Sequence, residues 1–330
     1  VIRRVMPLLV LLLAGCAAEP GEPAAPPVPP PTSVFPSVSA QPSPGIKATE
    51  EQLRRADPCL LVDWTILTAY GSLERVETPI EFTDCEATVY RPAGTSLTVS
   101  LGFGLAFGEG ADLRPVERDG VTVQVGELGQ YGCGRGVAVA ERAVVSIHAR
   151  DDRHPGDLCA IADRVLDAAL PKLIAGDVPP SALPDESLAN VDACALLRPE
   201  EVFRLRGIDR TRVTPGFDGQ NCTWGEPEVS ETNVFINFGP ALPLEADSTG
   251  DRETEIGGLR AVVHPQPGGS NPQYRTPPGC EARIEYRRLD RPGQVAEIEE
   301  ISIQVTADED EKYRCDLVTD LAEAAVRRLP

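Results

Sequence analysis

Nine cysteines carry most of the chemistry open to this chain of 330 residues. One of them stands apart. Cys16 follows Leu13, Ala14 and Gly15 at the end of a short apolar run. A thiol placed there, behind two small side chains that a peptidase can accept, is a site for acylation. The four residues read as the lipobox of a bacterial lipoprotein, with Cys16 becoming a diacylglyceryl-modified N-terminus. Two acyl chains meet the need of stable anchoring, because each buried methylene contributes about 0.8 kcal/mol and one chain binds only marginally. The other eight cysteines form two sets of four: Cys59, Cys85, Cys133 and Cys159, then Cys194, Cys222, Cys280 and Cys315. An exported chain with an even cysteine count reads as disulfide-bonded. Zinc is the rival use of thiols. No two of these cysteines have the close spacing that a structural zinc site wants, and there is no Cys-x-x-Cys redox motif.

Other reactive constellations are sparse. His148 falls in a predicted strand over 144–149, His154 precedes Pro155 in a turn, and His264 follows Val262 and Val263. None has a second histidine at ligand spacing, and no nucleophile elbow is present. Glycine clusters over 102–108 and 132–136 do not lead from a strand into a helix, so they fail as phosphate loops. They read as strand glycines that relieve crowding or make bulges. The acidic run from Asp308 to Glu311 lacks the glycine and the spaced glutamate of a calcium loop, and reads as a solvated turn before the last helix. Trp224, beside Cys222, either packs on a disulfide or lines a pocket, and is the one possible binding residue singled out. No catalytic residue, metal or cofactor is expected.

The segments that must position these groups begin with a leader. Arg3 and Arg4 precede an apolar stretch over 5–14, too short to span roughly 30 Å of hydrocarbon. Residues 1–15 have the layout of a secretory signal. Residues 16–56 read as a lipid-anchored tether, with prolines at 26, 27 and 29–31 among serines and threonines. Without an apolar period it forms no packed core. At about 3.1 Å per residue it reaches on the order of 100 Å. Its Ser, Thr and Pro content suits a plain spacer or an O-glycosylated stalk. The chain carries 51 acidic and 31 basic residues, a formal charge of −20. With no basic stripe, that excludes nucleic-acid binding. It also argues against docking on anionic lipid by charge, which leaves the acyl chains to hold the membrane. Arginine outnumbers lysine 28 to 3, a bias of GC-rich genomes that points to an actinobacterium.

The remainder reads as two copies of one module, over 57–175 and 191–330, joined by a linker over 176–190. Asp57-Pro58-Cys59-Leu60-Leu61 opens the first and Asp192-Ala193-Cys194-Ala195-Leu196-Leu197 the second. The aspartates suit N-caps, and Pro58 suits the first helical position. Pro199, Glu200 and Glu201 start a further helical stretch that Gly207 stops, as Gly71 does in the first copy. At the closing end, Ile161, Val165, Ala168, Ala169, Leu170 and Leu173 match Leu317, Leu321, Ala324, Ala325, Val326 and Leu329 at one constant offset. That is a repeat with helical period. A proline-rich stretch from Pro171 leads into the linker. The middles alternate with period two over 97–101, 121–125, 137–140, 234–238 and 301–305, which predicts strands. The fold class is therefore α+β: two modules, each an antiparallel sheet packed with an N-terminal and a C-terminal helix and stapled by disulfides. If each module folds alone, three pairings per module remain. The favoured one is Cys59–Cys85, Cys133–Cys159, Cys194–Cys222 and Cys280–Cys315, which pins each terminal helix to its sheet. Loops of roughly 30 residues make each bond worth about 3–4 kcal/mol by chain entropy.

The two openings, the Pro199-Glu200-Glu201 helix, Asn221-Cys222-Thr223-Trp224 and the closing Cys159 to Pro171 pattern resemble an actinobacterial lipoprotein family catalogued as domain of unknown function 3558. Each module resembles one copy. The first departs by having Cys85-Glu86-Ala87-Thr88 where the second has Cys222-Thr223-Trp224. The resemblance implies export and a disulfide-stapled fold, and it carries over no catalytic residue. The expectation is an exported, lipid-anchored, non-catalytic binding or accessory module on the outer face of the cytoplasmic membrane. Its partners are the membrane, through Cys16, and an envelope ligand or protein that the residues do not name. A pseudo-twofold groove between the modules is the expected site. The alternatives are a sensor subunit of an envelope kinase or transporter, and a cell-wall or peptide hydrolase.

Overall fold

The structure is a computed structural model that describes residues 42–77, 81–91, 94–104, 113–127, 132–151, 156–217, 219–225, 232–246, 250–271, 274–289 and 297–330. Cys16, the leader, the tether to residue 41 and His154 lie outside the described residues.

The first helix, α1 (Glu50–Arg54), occupies sequence assigned above to the tether. Thr49 and Gln52 form a capping box. Five residues do not hold a helix in water alone. This one is fixed by Leu53, which is fully buried, with Ala48 and Ala56 beside it. Ahead of it, Ser43 donates its N–H to the carbonyl of Ala138 at 2.9 Å and its hydroxyl to that of Thr122 at 2.7 Å. Residues 43–56 are therefore part of the folded unit and not of the tether expected over 16–56. Three apolar residues without a period do not announce a core segment, yet they suffice when a core already exists to receive them.

Next, α2 (Pro58–Leu61) is one turn long, with Asp57 accepting the Cys59 N–H at 2.9 Å. A 3₁₀ helix (Trp64–Tyr70) ends at Gly71, where a Cβ would lie 2.2 Å from the Tyr90 carbonyl oxygen. Then come β1 (Ser72–Glu77), β2 (Asp84–Tyr90), β3 (Ser96–Gly104), β4 (Arg114–Arg118), β5 (Val121–Glu127), β6 (Gly132–Ala140), β7 (Ala143–Arg150) and α3 (Leu158–Ala175). The strands form one antiparallel sheet in the order β1-β2-β3-β7-β6-β5-β4. Alternation assigns its faces: Leu97, Val99 and Leu101 of β3 are fully buried, while Thr98 and Ser100 face away. Ile161, Val165, Leu166 and Leu170 of α3 belong to the same apolar cluster as that buried face. Pro171 sits inside α3 rather than opening the linker. An interior proline costs about 3 kcal/mol. Burial of Leu170 and Leu173 on either side of it offsets that.

The second half repeats the order. It comprises α4 (Ala193–Leu196), α5 (Pro199–Val202), β8 (Val213–Pro215), β9 (Asn221–Gly225), β10 (Asn233–Ala241), β11 (Arg252–Ile256), β12 (Leu259–Gln266), β13 (Gly269–Asn271), β14 (Tyr274–Thr276), β15 (Gly279–Leu289), β16 (Glu297–Thr306) and α6 (Glu311–Val326). Its seven-stranded antiparallel sheet runs β8-β9-β10-β16-β15-β12-β11. Position for position this is the first sheet's order, with the β13–β14 hairpin as an insertion. Asp192 caps α4 through the Cys194 N–H. Gly207 takes a positive φ, but α5 already ends at Val202, so the glycine closes the turn that follows rather than the helix.

Four disulfides join Cys59 to Cys85, Cys133 to Cys159, Cys194 to Cys222 and Cys280 to Cys315, the pairs favoured above. Each ties a helix to a strand, and the equivalent strands are the same in both halves. Disulfides of this number suit an oxidising, extracytoplasmic compartment. Among the described residues no helix is long and apolar enough to cross a membrane.

One brace is peculiar to the first half. Arg135 lies on the buried face of β6, 7 % exposed. It donates to both oxygens of Asp163 on α3, at 2.7 and 3.0 Å, and to the sulfur of Cys133 at 3.0 Å. Arg118 adds a bond to Asp163 at 2.8 Å.

The two halves meet through a reciprocal exchange. Phe82, in the β1–β2 loop, is buried in the apolar cluster of the second half. Phe217, in the equivalent β8–β9 loop, is buried in the cluster of the first. The linker is tied on both sides as well. Ser181 donates its N–H to the Arg55 carbonyl at 2.7 Å, and Asp57 donates to that of Pro179 at 3.1 Å. Farther on, Ser187 and the Leu188 N–H donate to the fully buried Glu299 of β16, at 2.7 and 2.8 Å. A bulge in β15 brings Arg287 opposite Glu299, 3.0 Å away.

Two outcomes test this packing. Asp163→Asn should lower stability to urea by about 2–3 kcal/mol at pH 7, at the low end for a broken buried pair because the aspartate is part exposed. The difference should close in acid. Hydrogen bonds from Arg135, and then from Arg118, hold the Asp163 carboxyl below its ordinary 3.8 against the opposing effect of burial. Its contribution is thus complete above that value and is lost as pH falls through the lower folded one. An equal difference at pH 7 and pH 2 contradicts the assignment. Phe82→Ala and Phe217→Ala should each cost about 3–5 kcal/mol. Together they should split one calorimetric transition into two, and a single transition in the double variant contradicts the reciprocal coupling.

Candidate functional site

The exchanged loops leave a groove of about 720 Å³ between the two halves. Its walls come from equivalent pieces of chain. Residues around α1 face residues 180–192, and the Phe82 loop faces the Phe217 loop. Leu53 and Leu188, Asp57 and Asp192, and Phe82 and Phe217 are separated by one constant sequence offset. Both leucines are fully buried and fasten the segments that form the rims. At the floor, Thr83 and Gln220 sit one residue before equivalent strands. They are 4 % and 3 % exposed. The carbonyl of each accepts from an equivalent backbone N–H: Phe103 on Thr83 at 3.0 Å, and Phe238 on Gln220 at 2.9 Å.

The charges around the groove divide into committed and uncommitted groups. Arg54 donates to Glu50 at 2.6 Å and lies over the Phe217 ring, 5.6 Å from its centroid. Arg55 pairs with Glu51 at 2.9 Å, both well exposed, so that pair contributes about 0–1 kcal/mol. Asp192 is occupied by its N-cap bond to the Cys194 N–H at 2.9 Å. Among the described residues, the Arg142 guanidinium in the β6–β7 turn, the Asp185 carboxylate and the Thr83 hydroxyl have no partner. No histidine or cysteine among the described residues lines the groove. The arrangement can bind polar groups.

Two smaller depressions also carry ion pairs, the first with Arg252 left over among the described residues. Beside α6, about 620 Å³ is flanked by Arg204 and Asp320, bonded at 2.7 Å. On the outer face of the second sheet, about 340 Å³ lies over Arg283 and Glu300, bonded at 2.8 Å. Burial pushes the Glu300 carboxyl up against the pull of Arg283.

The residues singled out from sequence are not gathered at the groove. Trp224 is 2 % exposed in the same core cluster as Cys222. It is therefore not a ligand contact, because its indole fills the space beneath β9. His148 lies on β7, opposite Ser100 and Gly134. Burial, then the nearby Arg150, lowers its pKa, which keeps the ring neutral at neutral pH. His264 bonds Asp251 on the other sheet, so the two histidines form no joint site. Gly102 and Gly104 lie in β3, and Gly132, Gly134 and Gly136 in β6, as strand glycines. Asp310, in the acidic run, is the N-cap of α6. Among the described residues no group of three or more His, Cys, Asp or Glu is placed to hold a metal ion.

Sequence reasoning missed Phe82, Thr83, Arg142, Asp185 and Phe217. The phenylalanines alone left a signal, since they recur at the offset of Cys59 and Cys194. No family model, no curated protein and no solved structure matches this chain.

Proposed function

We propose that this protein is an exported lipoprotein of the cell envelope, anchored through acylated Cys16 and acting as a non-catalytic binding module. The groove walled by equivalent segments of both halves carries this reading. A site made from two copies of one fold has fixed, paired walls and needs no reactive side chain to hold a ligand. The identical strand order of the two sheets and the constant offset of Leu53, Asp57 and Phe82 from Leu188, Asp192 and Phe217 support an origin by duplication, with each copy a sheet backed by terminal helices. Membership of the lipoprotein family named above is part of this proposal and rests on the sequence motifs alone. Four disulfides are consistent with work outside the cytoplasm. The Pro-rich stretch ahead of Ser43 then serves as a spacer that holds the groove away from the membrane.

Anchoring and binding are separable by experiment. Cys16→Ser should move the protein from the membrane fraction of an actinobacterial host to the soluble one, and should abolish incorporation of labelled fatty acid. Unchanged fractionation with no labelled lipid on the parent protein contradicts the anchor. Mass spectrometry of protein purified natively should release a small molecule, and Phe82→Ala with Phe217→Ala should lose it. Retention of that molecule by the double variant contradicts the groove as its site.

A further inference from the structure

The uncommitted groups of the groove have a pattern that a ligand must match. The chain as a whole carries a charge of −20, yet the groove is lined by three arginines and three carboxylates. Two of those arginines and two of those carboxylates are occupied by Glu50, Glu51, Arg55 and a backbone N–H. Among the described residues, what remains without a partner is one cation, Arg142, one anion, Asp185, and one hydroxyl, that of Thr83, on a residue that is 4 % exposed. A purely anionic ligand can pair Arg142 but leaves Asp185 unpaired, and a purely cationic one does the reverse. Only a ligand with both charges pairs both groups. The hydroxyl at the floor can donate to a carbonyl or accept from an amide. The volume is within the range of small-molecule sites and gives room for several linked residues.

We infer that the groove takes a zwitterionic peptide or amino acid, with its carboxylate on Arg142, its ammonium on Asp185 and a backbone amide group at Thr83. This rests on the reading of the groove as a binding site. A guanidinium presents paired donors to a carboxylate, and a carboxylate accepts from an ammonium. The two ends are read from opposite sides, because Arg142 belongs to a turn of the first sheet and Asp185 to the chain entering the second half. A single module therefore has only half of this site.

Saturation-transfer NMR with full-length protein and trialanine tests the inference, since trialanine carries both charges and a small backbone. Trialanine should bind, and N-acetylation or C-terminal amidation should each weaken it about tenfold or more. Asp185→Asn should remove the sensitivity to acetylation, and Arg142→Ala the sensitivity to amidation. Both are exposed positions, so neither change should disturb folding. Equal binding of blocked and free peptides, or variants that keep the sensitivity to both blocks, overturns the assignment. A natively bound molecule that lacks one of the two charges also overturns it, and leaves the groove as a binding site of other chemistry. A protein that carries no molecule when purified natively, and binds neither free nor blocked peptide, overturns both readings.

Discussion

Two phenylalanine side chains, each buried in the other half's core, hold this molecule in its working shape. Phe82 and Phe217 occupy equivalent loops, so the contact that one half makes with the other is returned. Such a contact has the self-complementary character of a twofold interface, here within one chain. The loops that carry the two rings both contribute residues to the lining of the groove. The groove depends on this interface, because residues of both halves line it. The linker reinforces the same geometry. Its start is bonded to residues 55 and 57, and its end to the buried Glu299.

Covalent and ionic braces act one level below. Each half carries a disulfide from its opening helix and another from its closing helix, landing on equivalent strands. In the first half, Arg135 adds a charged brace between β6 and α3. In the second, the register places Ala282 at the corresponding point of β15, with no such brace. That half is closed instead by Arg328, which donates to Glu201 at 2.6 and 2.8 Å and to the Leu196 carbonyl at 2.6 Å. Two copies of one architecture thus solve the same problem of tying helix to sheet with different residues.

Much of the architecture was legible because it is written in periodic or chemically specific residues. Asp57 and Asp192 announce caps, alternation announces β3, β5, β10 and β16, and cysteines in equivalent positions announce their partners. The segments that build the groove are written differently. Residues 43–56 and 181–191 have polar compositions, and one fully buried leucine in each does the fastening. A single leucine has no period, so the first of these read as tether and the second as linker. Pro171 punctuates the sequence strongly, but α3 passes through it because its apolar face is deeply buried on both sides. Trp224 was open to two readings, packing beside the cystine or lining a pocket, and β9 turns it into the core with Cys222. The uncommitted charges were invisible for a different reason. Arg142 and Asp185 resemble any other charged residue until the remaining charges around them are seen to be paired.

The central claim is that the halves are locked by the phenylalanine exchange into one arrangement, giving the groove a constant shape. Distance measurement between spin labels tests it most directly. Labels on Arg114→Cys in β4 and Glu200→Cys in α5 sit on exposed sites of different halves. The account predicts one narrow distance distribution that broadens when Phe82 and Phe217 are both replaced by alanine. A broad or two-peaked distribution in the parent protein would mean that the halves move freely about residues 176–190, and would contradict it.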